Sequence, residues 1–141
     1  MTDNTPTPQE LVRAFHRAFG LDLADTPAGV TPELARHRQV LLEEEVAELA
    51  EASESGRLAD IAHELADVVY IAYGTAAVHG IDLDAVLAEI HRANMSKLGP
   101  DGRPSYREDG KVLKGPSYRP PRVADVLREQ TRAAPPAPAD R

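Results

Sequence analysis

The chain has 141 residues, no cysteine and a formal net charge of −7 at pH 7. The lack of cysteine excludes a disulfide framework, a thiolate metal site and a cysteine nucleophile, and the negative charge argues against general binding to a nucleic-acid backbone. No apolar stretch approaches the roughly 20 residues that span a bilayer and no signal-peptide pattern opens the chain, so a cytoplasmic protein with no membrane partner is expected, its length suiting one domain that buries roughly two-thirds of its unfolded surface.

Residues 1–8 carry two Thr-Pro pairs and read as a flexible leader. Leu11, Phe15 and Phe19 then recur at helical spacing, which predicts a first helix from about Pro8 to Phe19, stopped at Gly20. Thr31-Pro32-Glu33 supplies an N-cap, a first-turn proline and a first-turn acid, opening a long helix to about Ser55 before Ser55-Gly56 breaks it. A third helix is predicted from about Leu58 to Val78, ending at His79-Gly80. Asp82 is placed as the cap of a fourth, running to about Leu98 before Gly99-Pro100. Nine of the 23 residues from Gly99 to Pro121 are Gly or Pro, the mark of an ordered loop or a flexible arm. A short fifth helix is predicted over Val123 to Thr131, followed by an Ala-Pro-rich tail expected to be disordered over 132–141. β-branched alternation is missing, so the expected fold is all-α, with a single helical domain over 9–131 that includes a basic arm at 99–122.

Charge is unevenly distributed along this frame. Residues 43–67 hold nine acidic side chains against the single Arg57. Residues 92–122 hold eight Lys and Arg against Asp101, Glu108 and Asp109. Either these blocks are ordinary solvated charge, or an acidic block for cations precedes a basic block for anions, as a metal-bound phosphate ligand requires.

The position of the acids favours the second reading. Glu45 and Glu48 are three residues apart, as are Glu64 and Asp67, so each pair lies on one face of its helix. On the second helix Leu41, Leu42, Val46 and Leu49 form an apolar stripe; Glu45 falls inside it, Glu48 on its margin, and Arg38 shares the direction of Glu45. The third helix is apolar almost all round, which predicts a central place in the bundle. Its polar strip is confined to Asp60, His63, Glu64 and Asp67. Burying such carboxylates is costly unless they are paired or ligated. Buried salt bridges, with Arg38 as one base, would satisfy part of the cluster, but four acids outnumber the nearby bases. A hard divalent cation, Mg²⁺ or Mn²⁺, satisfies all four.

Other chemistries find no support. His63-Glu64 starts a zinc-protease pattern, but the second histidine position is Asp67. Neither cluster has a His three residues after its Glu, as di-iron bundles require. Neither a Gly-Lys-Ser/Thr phosphate loop nor a Gly-x-Ser-x-Gly elbow is present. His16, His37, His79 and His91 are scattered and read as structural or surface residues. Asn94 and Lys97 extend the buried stripe of the fourth helix at its end, where they meet a phosphate or sugar or serve as capping and surface residues.

Taken together, Glu45-x-x-Glu48, a gap of 15 residues and Glu64-x-x-Asp67, followed by Asn94-Met95-Ser96-Lys97 and Asp109-Gly110-Lys111-Val112-Leu113-Lys114, resemble the signature of the all-α NTP pyrophosphohydrolases. The resemblance is strongest to the small MazG-like members, which are related to dimeric dUTPases, dCTP pyrophosphatases and phosphoribosyl-ATP pyrophosphohydrolases. It runs from about Val40 to Lys114. It implies a MazG-like bundle of four to five helices, two long acidic helices at its centre, completed as a homodimer or tetramer. It implies hydrolysis of a nucleoside triphosphate to the monophosphate and pyrophosphate, with Mg²⁺ (Mn²⁺ as a substitute) held by Glu45, Glu48, Glu64 and Asp67 and a metal-activated water attacking the α-phosphorus. Glu44, one turn before Glu48 and off the apolar stripe, is the candidate general base. Lys97, Lys111 and Lys114 are candidates for phosphate neutralisation, with Arg38, Asn94 and Tyr118. Small MazG-like members often prefer deoxynucleotides, so dUTP is the first expected substrate, with dCTP and a broader house-cleaning role behind it. Phosphoribosyl-ATP ranks lower, because the Asn-Met-x-Lys and Gly-Lys segments point to the MazG-like branch. A non-catalytic bundle that binds metal and nucleotide is the competing expectation, and a helical dimer with buried ion pairs a third.

Overall fold

A computed structural model of the protein describes residues 3–134. Its elements are α1 (Pro8–Ala18), α2 (Pro32–Ser55), α3 (Leu58–His79), α4 (Leu83–Met95) and α5 (Val123–Ala133). Among the described residues the pairing of extended backbone is limited to one isolated antiparallel bridge, Tyr106 to Val112, so the fold is all-α as expected. No described helix is long and apolar enough to cross a membrane. Contacts divide the chain into two compact units after Asp82.

The first unit holds α1, α2 and α3. Thr7 closes a reciprocal capping box with Glu10, so the end of the expected leader over residues 1–8 helps start α1. Thr31 Oγ1 accepts from Leu34 N–H at 3.2 Å, which with Pro32 fixes the start of α2. Gly56 and Gly80 end α2 and α3 in the left-handed conformation. Gly80 meets two demands: its φ is +68°, and a Cβ there would collide with the Thr26 carbonyl. α3 packs against both α1 and α2, its C-terminal half burying Tyr73, Gly74, Ala76, Ala77 and Val78.

The central role expected of α3 therefore holds for that half. Nearer its start, Leu58 is 80% exposed, Leu65 49% and Val69 50%. The inward line of α2 also differs in detail from the sequence expectation. Arg38 and Ala52 are buried and Leu41, Leu42, Glu45 and Leu49 half-buried, while Val46 is exposed. α2 packs chiefly on α3, and a helix with one principal neighbour buries a narrower stripe than one set into a core.

The second unit holds α4, the segment after it and α5, which packs on α4. α4 ends at Met95, three residues before the expected Leu98; a turn follows, with Lys97 N–H donating to Asn94 O at 3.1 Å. The Gly- and Pro-rich segment is an ordered loop. Leu113 N–H donates to Ser105 O at 2.8 Å and Arg107 N–H to Lys111 O at 2.8 Å, so the chain doubles back through Asp109-Gly110. α5 reaches Ala133, two residues beyond the expected end. Of the tail expected over 132–141, residues 135–141 lie outside the described residues, as do residues 1–2 of the leader.

Candidate metal centre

Antiparallel packing of α2 on α3 sets Glu45 and Glu48 against Glu64. One oxygen from each of these three carboxylates lies within 4.8 Å of the others. Glu45 Oε2 and Glu64 Oε2 are buried from solvent without a hydrogen-bond partner. Orphaned carboxylate oxygens of this kind are costly to keep. Both groups feel that cost: Glu45 and Glu64 are pushed above the ordinary carboxyl range, first by loss of water around them and next by repulsion from Glu48. Asp67 adds to the same repulsion at both. Three of the four expected acids, Glu45, Glu48 and Glu64, thus converge, Asp67 meets Glu64 in a separate set, and the repulsion at Glu45 and Glu64 asks for positive charge.

A second set of donors overlaps the first. His63, Glu64 and Asp67 also place one ligand atom each within 4.8 Å of one another, with His63 Nε2 3.0 Å from Asp67 Oδ2. The sequence places His63 on the polar strip of α3 without assigning it to the acid cluster. Its spacing of four residues from Asp67 was the available signal, since positions i and i+4 share a helix face. Glu44, the candidate base, is exposed on α2 and falls in neither converging set.

Arg38 is 7% exposed and directs its donors into the protein. Nη2–H donates to Ile71 O at 2.8 Å and Nε–H to Thr75 Oγ1 at 3.2 Å. Its guanidinium lies over Gly74, where any Cβ would collide with Nη2. Burial lowers its pKa. These bonds to α3 occupy the donors that the rival salt-bridge reading would have turned to the acids and that the phosphate-binding expectation would have turned to substrate. His16 packs over the same glycine, its Nε2 3.1 Å from where a Cβ would stand, while its Nδ1 lies 2.8 Å from Asp22 O.

Residues 12–94 match the family described as phosphoribosyl-ATP pyrophosphohydrolase. The chain belongs to that family. An uncharacterized protein of Acanthamoeba polyphaga mimivirus is 29% identical to it over 127 residues, covering 81% of this chain and 46% of the viral protein. The chain therefore spans about half the length of that relative. Among solved structures, a protein from an Exiguobacterium species with the provisional description NTP pyrophosphohydrolase is 23% identical and covers 93% of this chain and 100% of its own, at a TM-score of 0.45.

Within this phosphoribosyl-ATP pyrophosphohydrolase family member, the matched span holds all four acids, His63 and Arg38 and ends at Asn94. Met95-Ser96-Lys97 and Gly110-Lys111, which favoured dUTP over phosphoribosyl-ATP, lie beyond it, so the match bears on the acids and not on that ranking. Membership points to a divalent metal cofactor, and the donor set fits one: all-oxygen ligands, two of them buried and unpartnered, suit a hard cation. The remaining predicted residues lie in the second unit. Asn94 is exposed in the last turn of α4, and Lys97 follows it with its carbonyl accepting from Gly115 N–H at 3.1 Å. Lys111 is exposed beside the turn of the loop. Lys114 Nζ sits 4.8 Å from the ring centroid of Tyr118, a cation–π pair that joins two of the expected phosphate ligands.

Proposed function

We propose that this protein is a Mg²⁺-dependent nucleoside triphosphate pyrophosphohydrolase that converts a deoxynucleotide, dUTP first, to the monophosphate and pyrophosphate. The observation that carries this reading is the pair of buried, unpartnered oxygens on Glu45 and Glu64 among converging acids, in a chain of a pyrophosphohydrolase family. Glu45, Glu48, Glu64 and Asp67 hold the cation. A bound divalent ion neutralises triphosphate charge and lowers the pKa of a nearby water.

The chain's own groups supply the rest of the proposed mechanism. Water adds to the α-phosphorus, the bond to the bridging oxygen breaks, and pyrophosphate leaves with its electron pair. Glu44, open to solvent on α2, accepts the proton of that water on its carboxylate. Lys97, Lys111 and Lys114, with Asn94 and Tyr118, supply the groups that neutralise and orient the phosphates. Arg38 contributes by holding α2 against α3, which sets the spacing of the acids. The exposed Val46, Leu58, Leu65 and Val69 support a homodimer or tetramer in which a second copy covers this apolar surface. The cytoplasm, where Mg²⁺ and nucleotides are available, is the proposed location.

Hydrolysis of dUTP in ¹⁸O-labelled water tests the bond assignment. The label is expected in dUMP, with unlabelled pyrophosphate as the other product. Label in orthophosphate, with dUDP formed, would mean attack at the γ-phosphorus and overturn the reading.

A further inference from the structure

The loop after α4 contains the same five-residue turn twice. In Gly99-Pro100-Asp101-Gly102-Arg103, Gly99 N–H donates to Arg103 O at 2.9 Å and Gly102 N–H donates back to Gly99 O at 2.9 Å. In Arg107-Glu108-Asp109-Gly110-Lys111 the matching bonds are Arg107 N–H to Lys111 O at 2.8 Å and Gly110 N–H to Arg107 O at 2.9 Å. Each aspartate Oδ1 accepts from the N–H two residues on, Arg103 at 3.0 Å and Lys111 at 3.1 Å. Both glycines are left-handed, with φ of +75° and +85°, and both Asp-Gly pairs are exposed.

One group separates the two turns. Arg107 grips both oxygens of Asp109: Nε–H donates to Oδ1 at 2.9 Å, and Nη2–H donates to Oδ2. Gly99 stands at the matching place in the first turn, and among the described residues Asp101 accepts from Arg103 N–H with no ion-pair partner.

We infer that Asp101-Gly102 is a site of spontaneous isoaspartate formation, and that Arg107 shields Asp109-Gly110 from the same reaction. The glycine nitrogen bonds to the aspartate Cγ, and the carboxyl hydroxyl leaves with the nitrogen's proton as one water. A second water opens the resulting five-membered imide at the main-chain carbonyl, which routes the chain through the former side chain. Glycine favours closure because no side chain crowds its nitrogen. Closure needs the neutral acid, since an ionised carboxylate has no hydroxyl to lose. A guanidinium on both oxygens favours the charged form and helps hold the Asp109 carboxyl below its ordinary range. The paired bonds also resist rotation of Cγ toward the Gly110 nitrogen. Isoaspartate at position 101 adds a methylene to the main chain and undoes the bond from Arg103 N–H. The inference is independent of the metal reading of the acids.

Ageing the full chain in mildly acidic buffer, with peptide mapping by electron-transfer fragmentation, reads isoaspartate at each site. The urea-unfolded chain supplies the reference rate for each. We expect the two sites to react at comparable rates in urea and Asp101 to outpace Asp109 several-fold in the folded chain. Arg107→Gln should bring Asp109 up to the rate of Asp101, and Arg107→Lys should keep part of the protection. High salt should raise the Asp109 rate in the wild type, because it screens an exposed ion pair. No isoaspartate at Asp101 in the folded chain, or equal rates at the two sites there, would overturn the inference. So would a lag at Asp109 that neither Arg107→Gln nor salt reduces.

Discussion

The two ends of the α2–α3 pair deal with buried charge in opposite ways. At one end Arg38 is enclosed by α3, bonded to Ile71 O and Thr75 Oγ1, and lodged over Gly74 among the buried Tyr73, Ala76, Ala77 and Val78. The Ile71 carbonyl and the Thr75 hydroxyl supply that cation with acceptors. At the other end Glu45 and Glu64 hold unpartnered buried oxygens, repel Glu48 and Asp67, and adjoin the exposed Leu58, Leu65 and Val69. One end is complete in itself. The other leaves carboxylate oxygens unpartnered and apolar side chains exposed, which the proposed cation and second copy would cover.

Removing one acid should break this contrast most sharply. Glu64→Gln is expected to lower pyrophosphate release by at least about two orders of magnitude, as losing a group that stabilises transition-state charge does. The metal-free fold should survive, because the change takes one charge out of a repelling cluster; circular dichroism and a thermal melt check this. Wild-type turnover in the variant would take Glu64 out of the site.

Metal addition should sharpen the contrast next. A divalent cation at a hundredfold excess over its dissociation constant stabilises the native state by about 2.7 kcal/mol through mass action. Thermal melts with Mg²⁺, Mn²⁺ or EDTA should show that gain in the wild type and its loss in Glu64→Gln. A melting temperature indifferent to chelator would favour a structural bundle of ion pairs.

The Arg38 end should respond to volume instead of ions. Gly74→Val forces a side chain into the guanidinium and toward His16, and overpacking of this kind costs about 1–3 kcal/mol. Urea unfolding of the metal-free protein measures it. A loss that Mg²⁺ fully abolished would mean the two ends are not independent.

The smallest effect concerns a carboxylate with partners, the counterpart of the orphaned pair. Glu89 accepts from Arg92 and from Arg122 N–H, which bring its pKa down to about 2. Since the folded value is depressed, its contribution is present above the ordinary carboxyl range and lost as pH falls through the folded value. Wild type should therefore exceed Glu89→Gln in stability at neutral pH, with the difference shrinking between about pH 4.5 and about 2. A constant difference across acid titration would remove the two arginine bonds from the account.

Much of this contrast can be read from residue order. Thr31-Pro32, Gly56 and Gly80 mark where α2 and α3 begin or end, because capping and left-handed residues act locally. Glu45 reads as inward because helical periodicity carries side-chain direction. Four features resist such reading. Val46 is exposed because burial depends on how many neighbours a helix has, which periodicity does not encode. Arg38 is satisfied by a backbone carbonyl 33 residues away, and every residue has a carbonyl, so no pattern announces that bond. His63 was compared with a motif requiring a second histidine, when its partner was the Asp67 already assigned to the acids. The loop after α4 shows Gly and Pro clearly, but its long-range hydrogen bonds depend on tertiary closure.

The central claim is that the acid slot cleaves a nucleoside triphosphate with the help of a divalent cation. Pyrophosphate release from a panel of NTPs and dNTPs, each with Mg²⁺, Mn²⁺ or EDTA, tests it most directly. The account predicts release with either ion, fastest from dUTP, and none with EDTA. Silence across the panel, or release that EDTA leaves unchanged, would contradict it.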